Sequence, residues 1–427
     1  MVTSQSPLNI IIVGAGLAGL AAAVGCALAG HKVVVLEGAR ELAEVGAGLQ
    51  ITPNASKILL RWGLPMEEAW AEPSFCTVHR YSDGKILAHE EKFAENNRRK
   101  YNAPFVDMHR VDAQKMLYHK AVELGVEVRL SSRVSAVREK GNGAEVELKD
   151  GTTFPGDLVV GADGLWSRCR ESLLGKSDEP LPTGDLAFRI VLTLDQIKDE
   201  DLRRIVAEPQ LHFWIGPNAH VVGYSVRSGT MYNLVLLTPD NLPPEVARQP
   251  GSLDEMKGLF DGWDPILTRF LECVTSVDKW KLMHRAELPS WTNDSKTILL
   301  IGDSCHPMLP YLAQGANSSI EDGAVLGGIL SYVKSKEQLP KAIELFEELR
   351  KKRGEKVVRE TFHQRHDFHM EDGPEQEERD KLFASQLGKD QADVKFPSRW
   401  TCPVVQPWLY GYDAYKEVDE AMQRQPL

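Results

Sequence analysis

The stretch from Asn9 to Glu37 constrains the fold of this 427-residue chain more than any other. An apolar run typical of a buried parallel strand leads into the motif GAGLAG at 14–19, an alanine-rich helical segment and a second apolar run. The first glycine of such a loop allows a tight turn, the second lets the backbone approach a pyrophosphate, and the third lets the helix pack on the strand. Glu37 follows at the spacing of a carboxylate that accepts hydrogen bonds from a ribose hydroxyl. We therefore predict a dinucleotide site in a Rossmann-like α/β domain.

Length, charge and cysteine content narrow the class of protein. The chain has room for about two to three domains, and 42% hydrophobic residues can fill a large core. The net charge of −11 argues against a nucleic acid partner, because phosphate binding needs a dense positive surface. The chain has no apolar run of about 18 residues that would predict a membrane span, and its first residues lack the basic flank of a signal peptide. Scattered cysteines without a CxxC pair indicate reduced thiols and a cytoplasmic location.

Two further loops repeat the pattern of a buried strand followed by glycine and an acid. GADG at 161–164 follows one apolar run, and its Asp163 is either a helix cap or a carboxylate at the ligand-binding edge of a parallel sheet. GDSCHP at 302–307 follows another, and a long helix is predicted to start near Ser318. Because this last strand comes so late in the chain, we expect the first domain to be discontinuous.

The middle of the chain changes character. Residues 183–288 contain short strand-like runs separated by turns, which predicts a mainly antiparallel sheet. We interpret this region as a domain inserted between the two parts of the first domain, 1–182 and 289–360. Residues 361–427 are expected to form a C-terminal helical segment with an aromatic-rich stretch that packs back on the body.

Charged segments outside the motifs are interpreted as solvent-exposed structure. Residues 371–380 are predicted to be loop-like, and Asp112 is expected to cap an amphipathic helix. His363, His366 and His369 recur every third residue, but no acid or thiol stands at a matching spacing. We therefore predict a solvated helix face there and no metal site.

Two features stay undecided on the residues alone. The glycines of GAG at 46–48 either form a plain loop or let the backbone approach a flat ligand. Arg110 is either an exposed cation or a phosphate ligand at the mouth of the fold, and the general exposure of arginine favours the first interpretation.

Three loops taken together, GAGLAG with Glu37, GADG at 161–164 and GDSCHPMLPYLAQGAN at 302–317, resemble those of a known family. They are similar to the single-component FAD-dependent aromatic monooxygenases, in detail to the fungal salicylate-hydroxylase-like branch. The resemblance covers residues 9–360, and a GWDP motif and DGPEQ at 372–376 extend it. Three motifs in the family's order are specific for the family and much less specific for the substrate.

The resemblance implies an FAD site, with NADH or NADPH and O2 as co-substrates. It implies that the first loop cradles the pyrophosphate, that Glu37 holds the adenosine ribose and that Arg110 contacts the phosphates instead of solvent. Gln50 would border the flavin ring, and Asp303 would hold the ribityl chain or the pyrophosphate. The implied cofactor-binding residues are Gly14, Ala15, Gly16, Gly19, Glu37, Gln50, Arg110, Asp163, Asp303, Gly315, Ala316 and Asn317.

The resemblance also implies a reaction in which a C4a-hydroperoxyflavin hydroxylates a phenol made electron-rich by loss of its proton. The protein must then supply a base or proton relay, a cation or donor that orients the substrate, and a dry cavity. Arg189 and Tyr224 match positions that relatives use for substrate binding and phenol activation. His220 lies four residues before Tyr224 and so faces the same side of a strand. The alternative is that His220 and Tyr224 are ordinary half-buried strand residues.

We therefore expect a monooxygenase that hydroxylates a small phenolic substrate, with Arg189 able to pair with a carboxylate. One alternative is a tailoring hydroxylase of a larger natural product, such as a polyketide phenol or an indole alkaloid. Another is a non-enzymatic escort protein that keeps the nucleotide fold. The expected partner is a small aromatic substrate, with neither nucleic acid nor membrane, and the oligomeric state, monomer or homodimer, is left open.

Overall fold

The computed structural model describes residues 6–42, 47–387 and 398–427. The strands are β1 (Asn9–Val13), β2 (Lys32–Leu36), β3 (Gly48–Ile51), β4 (Trp70–Ala71), β5 (Cys76–Arg80), β6 (Ile86–Glu90), β7 (Val106–His109), β8 (Glu127–Arg129), β9 (Val134–Lys140), β10 (Gly143–Leu148), β11 (Thr153–Gly156), β12 (Leu158–Gly161), β13 (Leu181–Thr193), β14 (Leu211–Gly216), β15 (Ala219–Val226), β16 (Met231–Pro239), β17 (Arg248–Pro250), β18 (Asp278–His284) and β19 (Ile298–Leu300). The helices are α1 (Leu17–Leu28), α2 (Pro53–Arg61), α3 (Phe93–Tyr101), α4 (Arg110–Glu123), α5 (Arg168–Leu174), α6 (Glu200–Ala207), α7 (Leu253–Leu259), α8 (Pro265–Glu272), α9 (Gln314–Leu330), α10 (Leu339–Phe368), α11 (Pro374–Gln386), α12 (Val405–Tyr410) and α13 (Ala414–Arg424).

A five-stranded parallel sheet carries the first and third loops. Its order is β19-β12-β1-β2-β8, and every neighbouring pair runs parallel. The central strands are almost entirely Ile, Val and Leu, as expected for strands buried on both faces. β19 pairs with β12 through Val159↔Ile298, so a strand from late in the chain completes the sheet that β1 begins. The predicted Rossmann-like α/β fold is confirmed.

Helices α1 and α9 follow the first and third loops and pack unusually close together. A Cβ on Gly25 would come within 2.3 Å of the carbonyl oxygen of Gly323, and one on Gly327 within 2.3 Å of the carbonyl carbon of Gly25. Since only glycine leaves room for this approach, the two helices are held in a fixed relation to each other.

A mainly antiparallel sheet forms the second layer, in the order β17-β18-β13-β16-β15-β14-β5-β6. The antiparallel strands of the middle region were predicted. The sheet nevertheless starts earlier in the chain than residue 183, because β5 pairs in parallel with β14 through Leu211↔Cys76 and β6 follows β5 as a hairpin. A domain boundary at residue 183 therefore assigns β5 and β6 to the first domain, although they pair with the strands of the inserted one.

Two local predictions are wrong. Asp112 is no helix cap: α4 already begins at Arg110, and the Asp112 carboxylate in its first turn accepts hydrogen bonds of 3.0 Å from Arg227. The segment 371–380 is no loop, since α11 begins at Pro374, a residue suited to the first helical position. Phe383 of α11 is fully buried, so the charges belong to an amphipathic helix.

A buried cluster of charged side chains fixes α9 against α10. Arg350 and Arg353 bond to Glu321 and Asp322 at 2.8 Å, and the side chains of Arg350, Glu321 and Asp322 are inaccessible to solvent. Such a cluster is expected to be intolerant of losing a single partner, because the remaining charge would stay buried. Among helices in the described ranges, none combines the length and apolar composition needed to cross a membrane.

Candidate active site

A cavity of about 590 Å³ opens where the carboxyl ends of the parallel strands face the large sheet. Its wall includes residues from all three loops and from the inner face of the large sheet. Most of the predicted site residues line it, namely Gly14, Gly16, Glu37, Gln50, Arg110, Asp163, Arg189, His220, Tyr224, Asp303, Gly315 and Ala316. The structure thus brings the predicted cofactor and substrate residues to one space.

The first loop is shaped by contacts that exclude side chains. Gly14 has a φ of +103°, and a Cβ there would lie 2.5 Å from the carbonyl oxygen of Ala162. A Cβ on Gly19 would lie 1.9 Å from the carbonyl oxygen of Gly14, so Gly19 lets α1 lie against the loop. The backbone N–H of Ala15 donates to Glu37 at 2.8 Å, which closes the loop on the end of β2. Ala15 and Gly19 therefore shape the loop from behind the cavity wall.

Asp163 and Arg110 lie at the ends of helices on the cavity wall. The Asp163 carboxylate accepts hydrogen bonds from the backbone N–H groups of Arg168 at 2.7 Å and Cys169 at 3.1 Å, at the start of α5. The N-cap of α5 is Ser167, and Asp163 supports the start of the helix while it lines the cavity, so the two interpretations that the sequence left open do not exclude each other. Arg110 begins α4, and its backbone N–H donates to the carbonyl of Ala47 at 3.0 Å.

The third loop ends in the N-terminus of α9, which begins at Gln314, four residues before the predicted start at Ser318. Gly315 and Ala316 therefore lie in the first helical turn, where backbone N–H groups have no partner within the helix. Asn317 lies behind the wall: its side-chain amide donates to the carbonyl of Gln50 at 2.9 Å and accepts from the N–H of Thr52 at 3.0 Å. These bonds hold β3 against the start of α9.

Strand β3 presents Gln50 and Gly48 to the cavity. The Gln50 side chain is nearly buried and donates to Asp107 on β7 at 3.0 Å. A Cβ on Gly48 would lie 2.6 Å from the hydroxyl of Tyr224, so this glycine makes room for the tyrosine. Gly46, the other glycine of the GAG segment, lies outside the described residues.

Arg189 and Tyr224 project from neighbouring parts of the large sheet. The Arg189 guanidinium lies over the ring of Trp280, 4.7 Å from its centroid. Tyr224 is 4% exposed, and burial, followed by the nearby Asp107 carboxyl, raises the pKa of its hydroxyl well above the usual value. Tyr224 is therefore a protonated hydrogen-bond donor at neutral pH.

His220 lines the cavity wall together with Tyr224. Its hydrogen-bond partner is His369, a residue that the sequence analysis expected on a solvated helix face. His220 Nδ1 lies 2.7 Å from Nε2 of His369, and both rings are buried. The predicted solvated face is right for His363 and His366, whose side chains are 61% and 64% exposed, and wrong for His369. α10 ends at Phe368, so the chain turns there and carries His369 inward. No periodicity could reveal this turn; the neighbouring DGPEQ motif was the available signal.

The described wall suits a dinucleotide with a flat ring system. The glycine cradle at Gly14, the N–H groups of α9 and the acids Glu37 and Asp303 offer the groups that bind pyrophosphate and ribose hydroxyls. The other side of the wall is apolar and aromatic, with Val222, Leu237, Met308, Phe213 and Trp400. Trp400 comes from the aromatic-rich C-terminal stretch and was not among the predicted site residues.

Known proteins share these features. A family model described as an FAD binding domain matches residues 8–361. The FAD-dependent monooxygenase OpS4 of Beauveria bassiana (strain ARSEF 2860) is 46% identical, over 99% of both chains. A 3-hydroxybenzoate 6-hydroxylase of Klebsiella oxytoca is 32% identical, over 95% of this chain and 97% of that protein. The structure of a salicylate hydroxylase substrate complex has a TM-score of 0.79 at 21% identity, covering 98% of each chain.

The fold and the three-loop cavity thus define a flavin-binding protein of the FAD binding domain family. The chain belongs to this family and is an FAD-dependent monooxygenase. The family, the cofactor FAD and the enzyme class expected from the sequence motifs are confirmed.

Proposed function

We propose that this monooxygenase hydroxylates a phenolic aromatic compound, with electrons from NADH or NADPH and an oxygen atom from O2. The observation that carries the proposal is the shared cavity, in which Arg189, His220 and Tyr224 line the same space as the dinucleotide loops. The relative that acts on 3-hydroxybenzoate and the structural likeness to salicylate hydroxylase support a phenolic substrate.

We assign the cofactor to the loop side of the cavity. Gly14, Gly16 and Arg110 would hold the pyrophosphate, Glu37 the adenosine ribose, and Asp303 the ribityl chain. The first turn of α9 would place N–H groups at the flavin ring, and the bonds of Asn317 to β3 support this placement. In this assignment 1–182 without β5 and β6, together with 289–360, forms the FAD domain, and 183–288 contributes most of the substrate wall. The C-terminal segment 361–427 adds Trp400 to that wall.

Bound FAD supplies the oxygen-transfer chemistry, and the chain's residues bind and orient the substrate. Arg189 would pair with an anionic oxygen of the substrate, carboxylate or phenolate, as a guanidinium does in a bidentate fork. Tyr224 would donate a hydrogen bond to the phenolic oxygen, because its own hydroxyl stays protonated. The apolar wall would exclude water from the reacting atoms.

A second candidate is a hydroxylase of a larger phenol, such as a polyketide or an indole natural product. The observation that favours it is that Phe213 and Trp400, whose ring centroids are 4.9 Å apart, add aromatic surface to the cavity wall besides Arg189 and Tyr224.

A substrate panel tests both candidates. Holoenzyme is mixed with NADH or NADPH and with salicylate, 3-hydroxybenzoate, or larger phenols, while benzoate without a hydroxyl serves as the matched control. We expect a phenol to stimulate nicotinamide oxidation and to yield a product 16 mass units heavier, or catechol and CO2 from salicylate. Stimulation by benzoate equal to that by phenols, or no oxygenated product from any phenol, would contradict the proposal.

A further inference from the structure

Strands β3 and β7 place two polar side chains next to each other at the cavity wall. Gln50 pairs with Asp107 in the antiparallel ladder, and directly opposite residues project from the same face of a sheet. Gly48, two residues before Gln50, faces Tyr224 from that side, so this face looks toward the large sheet. Gln50 lines the cavity, whereas the carboxyl of Asp107 lies behind it and is inaccessible to solvent.

Asp107 is a buried carboxyl held by a neutral amide. Its Oδ1 lies 3.0 Å from Nε2 of Gln50, and its Oδ2 has no hydrogen-bond partner among the described residues. Burial, opposed by the bond from Gln50, raises the pKa of this carboxyl well above its usual value. An ionised oxygen left unpaired in the interior costs far more free energy than an unpaired O–H. Asp107 is therefore neutral at pH 7, with its proton on Oδ2.

The bond to Asp107 decides which end of the Gln50 amide faces the cavity. Its length of 3.0 Å is usual for an N–H donor and long for an O–H donor, so the amide nitrogen of Gln50 points to Asp107. The carbonyl oxygen Oε1 is then the amide atom that remains for a ligand. The backbone of Gln50 is fixed separately, because its carbonyl accepts a 2.9 Å bond from Asn317 at the start of α9.

We propose that Asp107 is a positioning residue for the cofactor, which holds the carbonyl oxygen of the Gln50 amide toward the flavin as an acceptor for a ring N–H. The inference rests on the cofactor assignment of the proposed function and is independent of the substrate. Without Asp107 the amide could turn over and present its own N–H donors to the ring. A neutral Asp107 also keeps a buried negative charge away from a ring that gains electrons on reduction.

The test is a double-mutant cycle of Asp107→Leu and Gln50→Leu, with Asp107→Asn as the conservative variant. Asparagine keeps an acceptor oxygen and the size of the neutral acid, whereas leucine keeps only the size. We expect Asp107→Leu to raise the Kd for FAD about tenfold, as the loss of one hydrogen bond does, and Asp107→Asn to bind FAD as the wild type does. In a protein that already carries Gln50→Leu, Asp107→Leu should change Kd no further. Titration of the apoprotein with FAD measures Kd, and its melting temperature shows whether each variant folds.

The outcomes separate positioning from a purely structural role. Equal losses from Asp107→Leu with and without Gln50→Leu would mean that Asp107 only supports the strand pair, and would overturn the inference, as would a tenfold loss in Asp107→Asn.

Infrared spectra of the holoenzyme test the neutral acid even where a leucine variant does not fold. The difference between wild type and Asp107→Asn at pH 7 should contain the carbonyl band of a protonated carboxylic acid, and a carboxylate band in its place would overturn the inference. A wild type that shows the expected pattern but hydroxylates no phenol would support the inference and contradict the proposed function.

Discussion

The two sides of the cavity are built in different ways. The loop side depends on backbone shape, because a Cβ at Gly14 or Gly19 would collide with a carbonyl oxygen of the neighbouring backbone. The substrate side depends on side chains that come from separate strands and from the C-terminal segment, such as Tyr224, His220 and Trp400. The first side is fixed by short segments of sequence, and the second only by the assembled fold.

This difference sets where substitution is tolerated. On the loop side, one methyl group disturbs the backbone that holds the cofactor. On the substrate side, a side chain can change while the sheet under it stays the same. A family with a common cofactor and different substrates is expected from such a construction.

Alanine at Gly19 is expected to have the largest effect. Its Cβ would come within 1.9 Å of the Gly14 carbonyl oxygen, so α1 would have to move away from the loop. We expect Gly19→Ala to lower the free energy of unfolding by about 3 kcal/mol, the upper range for overpacking, and to abolish FAD retention. Thermal unfolding of the apoprotein and flavin absorbance of the purified protein measure the two effects.

Gly16→Ala is the matched control for that change. A Cβ on Gly16 would meet no atom of the described residues within 4 Å. The apoprotein should therefore melt as the wild type does, while FAD binds more weakly because the methyl group occupies the space of the pyrophosphate. Full flavin occupancy in Gly16→Ala would mean that no pyrophosphate approaches this loop.

Tyr224→Phe tests the substrate side. The variant should retain FAD, because Tyr224 lies on the large sheet, and should lose about 100-fold in hydroxylation through the missing donor to the phenolic oxygen. Product yield per NAD(P)H oxidised is the measurement. Tyr232→Phe is the control: its hydroxyl has no partner among the described residues, and its ring stacks on Phe270 in the hydrophobic core on the other face of the large sheet. Equal yields in the two variants would remove Tyr224 from the reaction.

The same contrast explains how much the sequence could predict. The motif GAGLAG fixes a local conformation, so the parallel sheet and the first loop could be predicted from spacing. His369 could not, because its inward turn depends on contacts with Asn218 and Tyr81, which are remote in sequence. The membership of β5 in the large sheet has the same origin, since parallel pairing with β14 leaves no local signal.

Arg189→Met is expected to weaken substrate binding selectively. Loss of a charge-assisted pair costs about 1.5–3 kcal/mol, or about 10- to 100-fold in Kd for a carboxylated phenol, and little for a phenol without a carboxylate. Arg248→Met is the control, because Arg248 lies on the same Trp280 ring, 4.3 Å from its centroid, outside the cavity wall. Titration of flavin absorbance with each phenol measures Kd. Equal losses for both kinds of phenol would show that Arg189 pairs with the phenolic oxygen instead of a carboxylate.

The smallest effect is expected at the ion pair that joins the two regions, Asp112 of α4 with Arg227 of the β15–β16 turn. The two side chains are 20% and 44% exposed, so the pair should contribute less than about 1 kcal/mol to the free energy of unfolding, and less at high salt. Asp112→Asn and Asp112→Ala should lower the free energy of unfolding by the same amount. In a protein that already carries Arg227→Gln, neither substitution should change it further. A helix cap would behave differently. Asparagine caps a helix as well as aspartate does, so Asp112→Asn would have no effect, whereas Asp112→Ala would cost about 1 kcal/mol whether or not Arg227 is present. Urea unfolding of the single and double variants therefore decides whether Asp112 links the cofactor side to the substrate side or serves only its own helix.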